Sequence, residues 1–159
     1  MALHKHCICG GTLEGKTLNG VKHICEKVEF TALADANNIK NLASGYYYLP
    51  QDMEITSQQG IKGGAKIVLD LNGHTLKMTH RFMIGYPDEG TLIITDCSKT
   101  QSGKMTINHN VQECMFYVHQ KGTLEIYGGT MDGSLKSCPT TSNNLDLIRQ
   151  ANGTPVTNI

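Results

Sequence analysis

The chain has 159 residues, enough for one domain with a real core, and its 14 Lys and Arg balance 14 Asp and Glu. Zero net charge and only two arginines, Arg81 and Arg149, give no electrostatic basis for gripping nucleic acid or an acidic membrane. No apolar run approaches a membrane span, and "MALHKHC" at the N-terminus has no apolar stretch of the kind a signal peptide carries.

The first predicted unit is residues 1–27, a Cys/His-rich knot. "HKHCICGGTLEGKTLNGVKHICE", from His4 to Glu26, holds three histidines and three cysteines but few apolar residues to fold around. Cys7 and Cys9 are too close in sequence for an unstrained disulfide, but thiolates at that spacing converge on one metal. His23 and Cys25 complete a tetrahedral Cys3His set, with four glycines to let the loop reverse. The expectation is therefore structural zinc on Cys7, Cys9, His23 and Cys25, with His4 or His6 as an alternate ligand. A filled protein sphere leaves no open position for a reactive water, and the metal would supply folding energy. A Cys7–Cys25 or Cys9–Cys25 disulfide and unligated thiols are the alternatives. Cys97, Cys114 and Cys138 are odd in number, which argues against a disulfide framework, and Cys97 and Cys114 are expected to face inward as buried thiols, small apolar fillers of the core.

Next in the chain, Tyr46-Tyr47-Tyr48 reads as a strand with Tyr47 inward and its neighbours covering an end. From residue 57 to 159 the chain repeats itself. "VLDLNGHTL" (Val68–Leu76) aligns with "TLEIYGGTM" (Thr123–Met131), and "GTLIITDCS" (Gly90–Ser98) fits the first half. Each unit is a short strand of period two, with Leu69/Leu71, Leu92/Ile94 and Leu124/Ile126 at its apolar positions. A glycine turn and a second apolar strand follow, at Phe82/Ile84, Phe116/Val118 and Leu145/Leu147. Such units cannot bury their own apolar faces, and stacking buries a continuous column. The expected fold is all-β, a right-handed parallel β-helix, or solenoid. A β-sandwich is the alternative. Asp70, Ile93 and Glu125 should point outward, with Ile93 needing a cover.

"LDLNGHTL", "GTLIITDCS" and "GTLEIYGGTM" resemble the pectin-lyase-like right-handed β-helix proteins of gut Firmicutes and their phages. The opening "HCICGG…HIC" looks like the Cys/His-rich motif that often precedes such coils. Residues 28–56 look like their lead-in, a polar and partly helical stretch followed by an aromatic strand. The resemblance bears on fold more than function, because this fold hosts lyases, hydrolases, adhesins and tailspikes.

Lyases of that fold use calcium held by carboxylates and a basic residue. Candidate acids are Asp70, Asp96, Glu125 and Asp132, which an outer strand face also explains, and no basic residues cluster with them. His74, His80, His109 and His119 read as solvated turn residues. The sequence thus favours a non-catalytic structural or binding module, the N-terminal part of a cell-surface adhesin or a phage tail or receptor-binding protein. A glycan or a host or bacterial surface is the expected partner, and the expected location is extracellular, on a cell surface or a virion. The N-terminal fragment of a polysaccharide lyase or glycoside hydrolase is the alternative. "LIRQANGTPVTNI" ends partway round a coil, so a truncated column that self-associates through its open end is expected.

Overall fold

A computed structural model describes residues 4–9, 14–18, 21–22, 26–108, 114–133, 147–150 and 156–158. Strands β1 (His4–Cys7), β2 (Thr17–Leu18), β3 (Val21–Lys22) and β4 (Lys27–Ala32) precede a 3-10 helix over Ala36–Asn41. Then come β5 (Gly45–Tyr48), β6 (Met53–Ile55), β7 (Gln59–Ile61), β8 (Ala65–Asp70), β9 (Thr75–Met78) and β10 (Phe82–Ile84). β11 (Gly90–Thr95), β12 (Lys104–Ile107), β13 (Phe116–Val118) and β14 (Gly122–Ile126) follow. β15 (Thr130–Asp132), β16 (Ile148–Gln150) and β17 (Val156–Asn158) complete the series. The described residues are all-β apart from the one short helix. Asp35 caps that helix, its carboxylate accepting from the Asn37 N–H at 2.8 Å, and Ala36 and Ile39 turn inward.

From β5 onward the chain enters three sheets in rotation. One has the order β1-β4-β5-β8-β11-β14-β17, the second β6-β9-β12-β15, the third β7-β10-β13-β16. Every pairing among β5 to β17 is parallel. Each strand finds its partner one circuit away, which is why strands so short persist. Like residues fall in rows: Ile67, Leu92 and Leu124; Leu69, Ile94 and Ile126; Ile61, Ile84 and Val118; Met78, Ile107 and Ile55. These rows form one continuous core, with Phe82 and Phe116 stacked at 6.1 Å. Gly90 and Gly122 hold equivalent positions in adjacent circuits. A Cβ at either would collide with a backbone carbonyl, of Ile61 or Ile84, so close passage of the preceding circuit requires glycine.

The expected inward residues Leu69, Leu71, Leu92, Ile94 and Leu124 are buried, Ile126 is half-buried, and Tyr47 packs against the core. Two registers differ from the sequence alignment. Leu69 lies level with Ile94 and Ile126, not with Leu92 and Leu124. The alignment rests on the turn threonines Thr75 and Thr130, which do share a level across Lys104. The turn after Ile126 is two residues shorter than the turn after Leu69, so the strands slide by two and keep their faces. In the third sheet Ile148, not Leu147, continues the row of Phe116, while Leu147 packs beside it. Leu145 and His109 lie outside the described residues.

The N-terminal strands explain Ile93. β1 pairs antiparallel with β4, but β4 joins β5 only through Thr31 and Ala32. The rest of β4, with β1, lies over the outer face of β8 and β11. Phe30, Val68 and Ile93 form a second buried apolar cluster there, flanked by Ile8, Val28, Tyr48 and Tyr127.

Candidate metal centre

Asp70 is the last residue of β8 and points to the outer face, where it is completely buried. Its Oδ1 accepts the backbone N–H groups of Asn72 and Cys97, both at 2.9 Å. Asn72 turns the chain with φ 50°, and its side-chain amide donates to the Leu49 carbonyl at 3.0 Å. That pins the turn behind Asp70 and leaves Oδ2 facing the N-terminal hairpin.

His4 and His6 alternate along β1, so both rings fall on one face. His4 Nε2 lies 2.7 Å and His6 Nε2 3.0 Å from Asp70 Oδ2. The His4 ring stacks on Tyr48 at 4.2 Å and the His6 ring on Phe30 at 4.0 Å. His6 Nδ1–H donates to the Cys7 carbonyl at 2.6 Å, which fixes Nε2 as the atom aimed at Asp70. Cys97, in the turn after β11, places Sγ 3.3 Å from His4 Nε2. The four donor atoms of His4, His6, Asp70 and Cys97 all lie within 4.8 Å of one another, so the group could hold a metal ion.

The electrostatics follow from that packing. Burial alone would raise the Asp70 pKa. Hydrogen bonds from His6, from the Cys97 thiol and backbone, and from His4 outweigh it and hold the carboxyl well below its usual range. Burial opposes the charged form of His6, but its bonds to Asp70 and the Cys7 carbonyl prevail and raise its pKa. Burial, then the neighbouring Asp70 carboxylate, pushes the Cys97 thiol far up. The arrangement is one buried carboxylate, two imidazoles and a thiol. Two nitrogens, one oxygen and one sulfur are donors that suit a borderline-soft divalent ion. The edges of a zinc tetrahedron are about 3.3–3.7 Å, so the His4–Asp70 and His6–Asp70 contacts, at 2.7 and 3.0 Å, would have to open by at least about 0.3–0.6 Å to take one.

Of the set expected from spacing, Cys7 and Cys9 converge: both are buried, with sulfurs 3.2 Å apart. His23 and Cys25 lie outside the described residues, as does Cys138. The alternates His4 and His6 face Asp70 and Cys97. Cys114 is buried as expected, whereas Cys97 is half-exposed and bonded to polar groups rather than filling the core. Sequence reasoning missed Asp70 and Cys97 as partners of the histidines. Their only signal is position, each at a turn leaving a strand of the same sheet.

The other acids are also engaged. The Asp96 carboxylate is buried and accepts backbone N–H groups from Gly73, Ser98 and Gly103, at 2.9, 3.1 and 2.6 Å. Glu125 accepts the Tyr127 hydroxyl at 2.7 Å, and burial, then that bond, raises the tyrosine pKa. Asp132 pairs with Lys104 at 2.7 Å. No protein-family model, curated protein or solved structure matches this chain.

Proposed function

We propose that the chain is a non-catalytic structural or binding module, built on a right-handed parallel β-helix whose N-terminal hairpin is stapled by zinc. The parallel ladders, the rotation among three sheets and the rows of like residues support the helix reading. A sandwich would use antiparallel sheets, and right-handed crossovers are the rule for parallel strands. The metal group carries the functional reading, because it joins residues 66 and 93 positions apart. Bound there, zinc would fasten β1 across the ends of β8 and β11, over Phe30, Val68 and Ile93. With four protein donors it would be structural. Cys7, Cys9, His23 and Cys25 would hold a second zinc.

The engagement of Asp70, Asp96, Glu125 and Asp132 in local bonds supports the non-catalytic side. The setting proposed for such a module is a surface adhesin or phage tail protein, outside the cell or on a virion, with a glycan or a cell surface as its partner. Elemental analysis tests the staple. The chain should carry zinc, and Asp70→Asn with Cys97→Ser should remove one equivalent while Cys7→Ser with Cys9→Ser leaves that one in place. A parent chain that carries no zinc and takes up none at micromolar concentration would overturn it.

A further inference from the structure

The third sheet, separate from the metal group's sheet, carries a cleft of about 310 Å³. Its floor is Gly60 and Met83, paired across β7 and β10. Both alternate with the buried Gln59, Ile61, Phe82 and Ile84, so they face outward. Lys40 and Asn41 wall one side, at the end of the 3-10 helix. That end is tied to β7 because the Lys40 N–H donates to Gln59 Oε1 at 3.0 Å. Gln58, Lys62 and Tyr86 complete the rim, all exposed.

Gly60 has no local reason to be glycine. Its φ is not left-handed, and a Cβ there would meet only the Met83 carbonyl, at 3.8 Å, an ordinary contact. A strand position of this kind favours a β-branched residue. What the glycine provides is room on the cleft floor.

Tyr86 is 56% exposed, yet its ring is held from behind. It lies 4.6 Å from the His119 ring, which lies 4.3 Å from Tyr117, which in turn sits under the Arg81 guanidinium at 5.2 Å. Burial, then Arg81, lowers the His119 pKa. An exposed, supported aromatic face suits the C–H face of a sugar ring. The Asn41 amide donates to Asn38 Oδ1 and the Gln58 amide to Met83 Sδ, both at 2.6 Å, which leaves each a second N–H and a carbonyl oxygen for paired hydroxyls. Lys40 and Lys62 offer two mobile point charges for a carboxylate. Asp88 and Glu89, next on the same loop, do not line the cleft. Among its lining residues Met83, Tyr86 and Pro87 supply the large apolar surface, on the floor and rim of an open cleft, which gives an acidic peptide no enclosed anchor pocket. The volume is at the small end for ligand sites, suited to a short sugar rather than a long chain.

The geometry points to a binding site for a carboxylate-bearing sugar at the end of a glycan. This rests on the binding-module reading and is independent of the zinc. The test is a titration of the ¹⁵N-labelled chain with 3′-sialyllactose and a glucuronate-terminated disaccharide. Lactose and cellobiose are the uncharged controls, and pentaglutamate is the acidic-peptide control. The backbone signals of Gly60, Lys62 and Tyr86 should move with the acidic sugars alone, and binding should weaken as salt is added. Tyr86→Ala should weaken it about three- to tenfold. Gly60→Val should abolish it without changing the melting temperature. No response to either acidic sugar at millimolar concentration would overturn the proposal. So would equal binding of lactose or pentaglutamate, or full affinity in Gly60→Val. Acidic-sugar binding that moves only signals outside the cleft would overturn the site while leaving the binding-module reading standing.

Discussion

Replacing Phe30 with Ala tests whether the outer apolar cluster and the metal group act as one latch. Phe30 is 4% exposed, stacks on His6 and packs against Val68 and Ile93. A phenylalanine buries about 150–250 Å², worth about 4–6 kcal/mol at 25 cal/mol per Å². A realistic unfolded reference and the remaining methyl lower this to about 3 kcal/mol, within the range for Phe→Ala truncations. The ring sits on the hairpin that carries His4 and His6, so the loss falls on hairpin docking rather than on the column beneath. Docking and metal binding are linked, since both need β1 in place. About 3 kcal/mol corresponds to a weakening of zinc binding by up to a hundredfold. A competition titration against a chelating dye reads that affinity, and hydrogen exchange at residues 27–32 reads the docking. Phe30→Leu should fall between, keeping the apolar bulk and losing the stack. If Phe30→Ala bound zinc within twofold of the parent, or lowered the column's own unfolding free energy by the full amount, the latch argument would fail.

Other outcomes follow from the column and its turns. Leu124→Ala should cost about 2–5 kcal/mol in urea unfolding and leave zinc affinity unchanged, because Leu124 lies on the inner face; a loss below about half a kcal/mol would mean the register is wrong. Gly122→Ala should unfold the chain or strip it to a molten state by near-ultraviolet dichroism, since its Cβ would collide with the Ile84 carbonyl; a native spectrum would refute the close passage. Asp96→Ala orphans three backbone N–H groups and should cost about 3 kcal/mol or more, whereas a change under 1 kcal/mol would mean the turn finds other acceptors. Metal-free and zinc-loaded chains should respond oppositely to pH in hairpin docking, followed by hydrogen exchange. The raised His6 pKa gives the metal-free chain stability that is present below about pH 6.5 and lost as pH rises through the folded value; the lowered Asp70 pKa gives stability present above about pH 4 and lost on further acidification. Zinc instead needs neutral imidazoles, so the loaded chain should loosen as pH falls below about 6, and identical profiles would argue against metal at this group.

Period-two alternation made the buried faces of the strands readable. Leu92 and Ile94, or Phe116 and Val118, announce a buried face whatever their partners are, because side-chain direction is a local property of a strand. Level is not local. Whether Leu69 sits beside Leu92 or Ile94 depends on turn length, and the shared Gly-x-Thr of "NGHT" and "GGT" marks the turn's exit rather than the strand's register. A shift of two leaves every face unchanged, so hydrophobic pattern alone could not reveal it. Ile148 shows the converse: in "DLIRQ" two adjacent aliphatic residues compete for one inward row, and the pairing with Phe116 decides.

The metal group was half-readable for a related reason. His4, His6, Cys7 and Cys9 crowd one short segment, and crowding is what a sequence scan detects. It also biases the scan toward partners in the same segment, which is how His23 and Cys25 come to complete the set. Asp70 and Cys97 look ordinary in isolation, one an outward strand acid and the other a single thiol near a turn. They become neighbours because β8 and β11 pair in parallel, which sets Asp70 opposite Thr95, two residues before Cys97. The two histidines reach them because β4 pairs with β5 only through its last two residues, which leaves its earlier part to carry β1 over the outer face. Ile93 signalled this, and Val68 beside it shares its outward phase. An aliphatic side chain in an outward phase requires a cover, and the hairpin that carries Phe30 onto Ile93 is the same hairpin that carries His4 and His6 to Asp70.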